Sequence, residues 1–112
     1  MESLLVVGVD FEASSGEEEF NDWYSKVHVG DVLTVPGVIR GSRYVALRRQ
    51  EGQTKYLATY DIESEELAHT IFKTPEWRAL MADWDAKWGG HGAVGKFAWR
   101  YTKIYSSDAP KK

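Results

Sequence analysis

His28 and Asp31 stand three residues apart in a stretch of helical periodicity, and of all the pairs in this chain they are the best suited to moving a proton. At that spacing a carboxylate accepts a hydrogen bond from one imidazole nitrogen, fixes the tautomer and raises basicity, leaving the other nitrogen free as general base or acid. The structural alternative is a flank histidine that caps the helix end or bonds a carbonyl. Tyr24 lies one turn before His28, where the imidazole can look into the space between a helix and a sheet. Arg40 and Arg43 fall on opposite faces of one strand, so one of them points towards buried space. A guanidinium there holds a carboxylate, phenolate or enolate oxygen, or else forms a structural ion pair with Asp31 or another acid. Trp77, Trp84 and Trp88 repeat at helical spacing, as a core stripe or as a wall for a planar ligand.

Other constellations are set aside on context. Gly90-His91-Gly92-Ala93-Val94-Gly95-Lys96 matches the spacing of glycine-rich nucleotide loops, but such loops follow a strand and open a helix, whose N-terminal amides meet the phosphate. Here the segment follows a helix and opens a strand, with Phe97 where Ser or Thr belongs. His28, His69 and His91 are scattered singly, and a His28–Asp31 pair alone has too few ligands, so no metal site is expected. His69 is read as facing solvent and His91 as part of a turn. There is no cysteine, hence no disulfide, thiolate site or thiol nucleophile, and a reducing, cytoplasmic setting is expected.

The elements that must position these residues follow from periodicity. Leu4 to Phe11 is apolar on both parities and β-branched, a strand covered on both faces. Ser15 with Glu18 has capping-box spacing, and Phe20, Trp23, Tyr24 and Val27 then recur at helical intervals until about Leu33, before Pro36-Gly37. Val38 to Arg49 and Lys55 to Ile62 read as a hairpin. Ser64 opens a second helix, Thr74-Pro75 restarts it, and Gly89-Gly90 ends it. Val94 to Tyr105 reads as an alternating last strand. The order βαββαβ predicts an α+β, ferredoxin-like domain over 1–106, in which two helices cover one face of a four-stranded antiparallel sheet, with a polar tail at 107–112.

The 112 residues, 43% hydrophobic and 28% charged, suffice for one core. The net charge of −3, with scattered Lys and Arg and only Lys111-Lys112 at the end, offers no footprint for nucleic acid. No apolar run is long enough to span a membrane, and Met1 to Asp10 lacks the features of a signal peptide. Five Trp, six Tyr and four Phe are a large aromatic complement. Phe97, Trp99, Tyr101 and Tyr105 share one strand parity, and Tyr56 and Tyr60 repeat the pattern in the third strand. An aromatic sheet face left open is an aggregation hazard, so a second copy packed on it, a homodimer, is expected.

The segment Asp22-Trp23-Tyr24-Ser25-Lys26-Val27-His28-Val29-Gly30-Asp31-Val32-Leu33-Thr34-Val35-Pro36-Gly37, with Gly41-Ser42-Arg43-Tyr44, Tyr56-Leu57-Ala58-Thr59-Tyr60 and the Trp77 helix, resembles the dimeric α+β-barrel superfamily, especially EthD-like proteins. The resemblance spans nearly the whole chain and implies a ligand space between helices and sheet. It implies fold more than reaction, because the superfamily includes cofactor-free monooxygenases, polyketide cyclases, lactone isomerases, dehalogenases, haem-degrading enzymes and members without known activity, several of them in aromatic or polyketide pathways; among these, lyase, cyclase, isomerase or cofactor-free monooxygenase action is expected here. The expected function is a small cofactor-independent enzyme acting on an aromatic or cyclic carbonyl compound. His28 moves the proton, Asp31 orients it, Arg43 holds an oxyanion, and Tyr24, Tyr44, Trp77 and Trp84 shape the substrate site. The alternative is a binding or carrier protein for a small hydrophobic or aromatic ligand, with His28 only a polar anchor.

Overall fold

The computed structural model describes residues 2–110, so of the expected polar tail Lys111 and Lys112 lie outside it. The apolar run Ser3–Phe11 is β1, a central strand. Strands β2 (Val38–Val45), β3 (Tyr56–Ile62) and β4 (Ala93–Thr102) join it in the sheet order β2-β3-β1-β4, with every pairing antiparallel. Leu5 and Val9 are buried on the helix side of β1. This is the ferredoxin-like α+β arrangement expected from the order of elements.

The first crossover is helical from Glu17 to Val32, in three pieces. These are α1 (Glu17–Trp23), a π turn over Tyr24–His28, and α2 (Val29–Val32). Glu17, Glu18 and Glu19 occupy the first turn, where the helix dipole favours negative charge. Ser15 is not the cap. Gly16 takes that position in left-handed backbone, φ 95°, with its carbonyl accepting from the Phe20 N–H at 2.9 Å, so the serine lies one residue too early.

The π turn holds one residue more than an α-helical turn, and it shifts the stripe expected from 3.6-residue spacing. Val27, expected on the apolar face, is 41% exposed, while His28 is 3% exposed. The second crossover follows the expected signals. Ser64 Oγ accepts from the Leu67 N–H at 3.1 Å to cap α3 (Glu65–Thr70). After a 3-10 turn at Ile71–Lys73, Thr74 Oγ1 accepts from the Trp77 N–H at 3.1 Å to cap α4 (Pro75–Lys87), with the proline in its first turn.

Phe20 is fully buried at the centre of an aromatic cluster, its ring centroid 5.3 Å from Phe11, 5.8 Å from Tyr24, 5.6 Å from Trp84 and 5.2 Å from Trp88. Burying such a ring contributes about 1.5–3 kcal/mol, and edge-to-face partners add to it. Leu5, Ile62, Ile71 and Val32 complete the layer between helices and sheet.

Three strand readings are corrected. β2 stops at Val45 and β4 at Thr102, short of Arg49 and Tyr105. The alternation of β4 does not run through: Gly95 pairs with Val9 but Phe97 with Gly8, so a bulge at Lys96 reverses the phase. The aromatic residues also divide between faces. Phe97 and Trp99 share the open face with Gly8 and Val6, whereas Tyr60, directly opposite Leu5, turns towards the helices and is 1% exposed. Among the described residues no helix is long and apolar enough to cross a membrane.

Candidate functional site

One row of the sheet is unusually low. Across it Arg43 pairs with Ala58, Ala58 with Val7, and Val7 with Ala98, so near the middle of the helix side there are only small side chains. Above them α4 carries Trp77, Met81 and Trp84, whose bulk keeps helix and floor apart. The result is a cavity of about 300 Å³ lined by Val7, Val9, Tyr24, His28, Tyr60, Trp77, Met81, Trp84 and the β4 segment from Gly95 to Ala98.

His28 enters from the π turn and is walled by aromatic rings. Trp23 stacks on it with centroids 5.0 Å apart, Tyr24 meets it edge-on at 4.8 Å, and Trp84 lies at 5.6 Å. Among the described residues its buried Nδ1 has no hydrogen-bond partner, and the expected bond to the Asp31 carboxylate is not formed. Burial pushes the imidazole down to about 4 against the opposing pull of Asp31 and Asp83, and the Arg43 charge adds to the depression. The imidazole is therefore neutral at pH 7, and the increase in basicity expected from Asp31 is overridden by desolvation.

Tyr60 completes the polar side of the cavity. Gly41, opposite it on β2, leaves the room its ring occupies, since a Cβ there would meet Val29 Cγ1 at 2.8 Å and Tyr60 Cε1 at 3.0 Å. Its hydroxyl is buried next to the Tyr24 phenol. Burial, and secondarily the neighbouring Tyr24 phenol, hold Tyr60 well above the usual tyrosine range. Burial raises Tyr24 as well. Both phenols keep their protons at neutral pH.

Arg43 does not reach the cavity as an oxyanion holder. Its guanidinium donates to Asn21 Oδ1 at 3.0 Å, Ser25 Oγ at 3.0 Å and the Asn21 carbonyl at 3.3 Å, and it lies 4.2 Å from the Tyr24 ring centroid. It clamps β2 to α1 and to the π turn, its guanidinium lying over the Tyr24 ring. Asn21 Nδ2 also donates to Tyr56 Oη at 2.8 Å, and that hydroxyl and Lys55 Nζ both bond the Glu17 carboxylate. Arg40 pairs instead with Asp61 at 2.6 Å on the open face.

The expected site residues thus separate. Tyr24, His28, Trp77 and Trp84 come together at the cavity, Asp31 stands beside it without contacting the imidazole ring, and Arg43 lies behind Tyr24. Tyr44 is on the other side of the sheet, opposite Leu57 and 55% exposed, because alternation sends it away from Arg43. Residues missed were Tyr60, Met81, Val7 and Lys96. The signal for Tyr60 was its shared parity with Ala58 and Ile62 in β3, which places it on a face that should be wholly apolar. His69 and His91 are exposed, and among the described residues no group of three His, Asp, Glu or Cys side chains is arranged to hold a metal ion. The glycine-rich segment follows α4 and enters β4, the context in which no helix N-terminus is offered to a phosphate.

No family model matches the sequence, and no curated protein matches it. Solved structures do match its fold. An EthD (ethyl tert-butyl ether D) family protein of Bacillus halodurans is similar at 15% identity and a TM-score of 0.62, over 93% of this chain and 99% of that one. SnoaB, a cofactor-independent oxygenase of Streptomyces nogalater, is similar at 12% identity and 0.61, over 94% and 95%. A dimeric ferredoxin-like protein of unknown function from Thermobifida fusca is similar at 12% identity and 0.59, over 92% of each chain. At such identities the likeness is one of fold, the ferredoxin-like α+β fold, in agreement with the fold that the resemblance carried by the Asp22 to Gly37 segment implies.

Proposed function

We propose that this chain is a small cytoplasmic enzyme, a single domain over 1–106, that acts without a cofactor on an aromatic or cyclic carbonyl compound, with His28 taking up a substrate proton. One observation carries the reading: an apolar, aromatic-walled cavity is bordered by the His28 imidazole, whose buried Nδ1 has no hydrogen-bond partner among the described residues, and by the Tyr60 phenol. An unmet buried polar group costs about 1–3 kcal/mol, a burden that a ligand oxygen or acidic hydrogen would relieve.

The protonation states fit proton abstraction next to a carbonyl. Neutral His28 is ready as a base, and its low proton affinity in the empty cavity rises once an enolate forms beside it, because the imidazolium then has a counter-ion. Protonated Tyr60 donates to the carbonyl oxygen as negative charge develops there. Asp31 acts on His28 only through space, and Arg43 through Tyr24. The cofactor-independent chemistry of SnoaB supports this class. The dimeric T. fusca protein, together with the exposed aromatic face, supports a homodimer.

The test uses α-tetralone, an aromatic ketone whose α-hydrogens exchange slowly unaided, in D₂O with NMR detection. Wild type is expected to accelerate exchange, His28→Gln to lose roughly 10²-fold of that rate or more, and Tyr60→Phe about tenfold. A well-folded His28→Gln variant within about twofold of wild type removes the assignment. The apolar lining and the low proton affinity of His28 also suit a carrier, which would bind tetralone and show no exchange at all.

A further inference from the structure

The bulge in β4 has a chemical side. Gly95 is opposite Val9 and Phe97 is opposite Gly8, so Lys96 is the extra, unpaired residue between them. Bulges re-aim the side chain they carry, and Lys96 stands at the border between the cavity of His28 and Tyr60 and a neighbouring one lined by Asp10, Glu12 and Arg49. Among the lining residues it is the one with a full charge at neutral pH, since His28 is neutral and both phenols are protonated. Its ion pair is weak: Glu12 Oε2 is 3.6 Å away, with the two side chains 44% and 57% exposed. An exposed pair of that length gains little over its solvated parts, so a ligand anion can replace the glutamate at small cost. The cavity then has an apolar interior of Trp77, Met81 and Trp84 and, at its border, a single cation carried by an edge strand.

We infer that the cavity takes an aromatic carboxylic acid, with the ring system in the apolar interior and the carboxylate against Lys96 Nζ. The inference rests on the same cavity as the proposed function and adds the class of compound that enters it. It also gives the glycine-rich segment a use: the lysine at its end serves a carboxylate in a cleft, and the glycines before it let the chain turn from α4 into the bulge. Gly90 and Gly92 have φ values of 78° and 112°, which L side chains rarely adopt.

Calorimetric titration of 2-naphthoate against 2-naphthamide, nearly equal in shape and different in charge, tests the assignment on the intact protein. At low ionic strength the acid is expected to bind wild type about three- to tenfold more tightly than the amide, with the preference shrinking as salt is added. Lys96→Arg keeps the preference, Lys96→Gln brings the two within about twofold, and Lys96→Glu reverses them. Equal binding of acid and amide by wild type, binding of neither, or a preference retained in a folded Lys96→Gln variant overturns the inference. The tetralone experiment fails independently. Naphthoate binding that depends on Lys96, without exchange that depends on His28, keeps this inference and removes the proposed reaction; the converse does the opposite.

Discussion

His28 shows how a group's surroundings outweigh its neighbours in sequence. Asp31 is close enough to favour the charged imidazole, yet three aromatic rings remove the water that would stabilise that charge, and burial wins. The consequence for stability has a definite sign. Unfolded, the histidine titrates at 6.5; folded, at about 4, so between these values the unfolded chain binds a proton the native chain does not. Stability therefore rises with pH across that window, is fully present above 6.5, and is lost as pH falls towards 4. The shift corresponds to about 3 kcal/mol. Urea denaturation of wild type and His28→Gln at intervals from pH 4 to 7 measures the effect as a difference, in which the carboxylates common to both cancel. The wild-type curve is expected to climb more steeply than the variant's, and parallel curves would show that the imidazole is solvated in the native state.

At the scale of elements, the π turn and the bulge in β4 decide which side chains meet. The turn puts His28 where uninterrupted spacing would have put Val27, and Arg43 holds the turn against β2 through Asn21 and Ser25. Arg43→Lys keeps the charge but loses the planar fork that reaches both partners, and with it the flat contact on Tyr24. It is expected to lower stability by about 1–3 kcal/mol, read from the urea midpoint, and a change below about 0.5 kcal/mol would show that the clamp is not used. These irregularities also mark the limit of what the sequence makes legible. The elements and their order follow from apolar periodicity, and the caps at Ser64 and Thr74 from local chemistry, because each signal is complete within a few residues. Tyr24, His28, Trp77 and Trp84 could be read together for the same reason. Tyr60 and Lys96 could not, since the first depends on which sheet face meets the helices and the second on a change of register against β1, both settled by distant strands. The bond expected between His28 and Asp31 is not formed, and spacing says nothing of how dry the imidazole becomes.

For the molecule as a whole, the difficulty is the sheet's open side. The helices bury Leu5, Tyr60 and Ile62, but on the opposite face Tyr44, Trp99 and Tyr101 are each 55% exposed. Phe97 and Trp99 stack there with centroids 4.3 Å apart, forming a flat aromatic surface that no helix among the described residues covers. Arg40 and Asp61 pair on the same face, a polar border that limits how a second sheet can be laid on it. Apolar surface of this extent is unfavourable in water at ~25 cal/mol per Å², and an identical copy is the partner always present at matching concentration. The protein is accordingly expected to sediment at twice its 12.7 kDa chain mass at micromolar concentration. Trp99→Glu places a charge opposite its own symmetry-related surface and removes the stack on Phe97, while leaving the buried layer of the protomer untouched. That variant should sediment as a monomer with an unchanged far-ultraviolet circular dichroism spectrum, and with the cavity intact it should still distinguish naphthoate from naphthamide. Wild type found only as a monomer at these concentrations, or Trp99→Glu still dimeric, would mean that the open face is not where two chains meet.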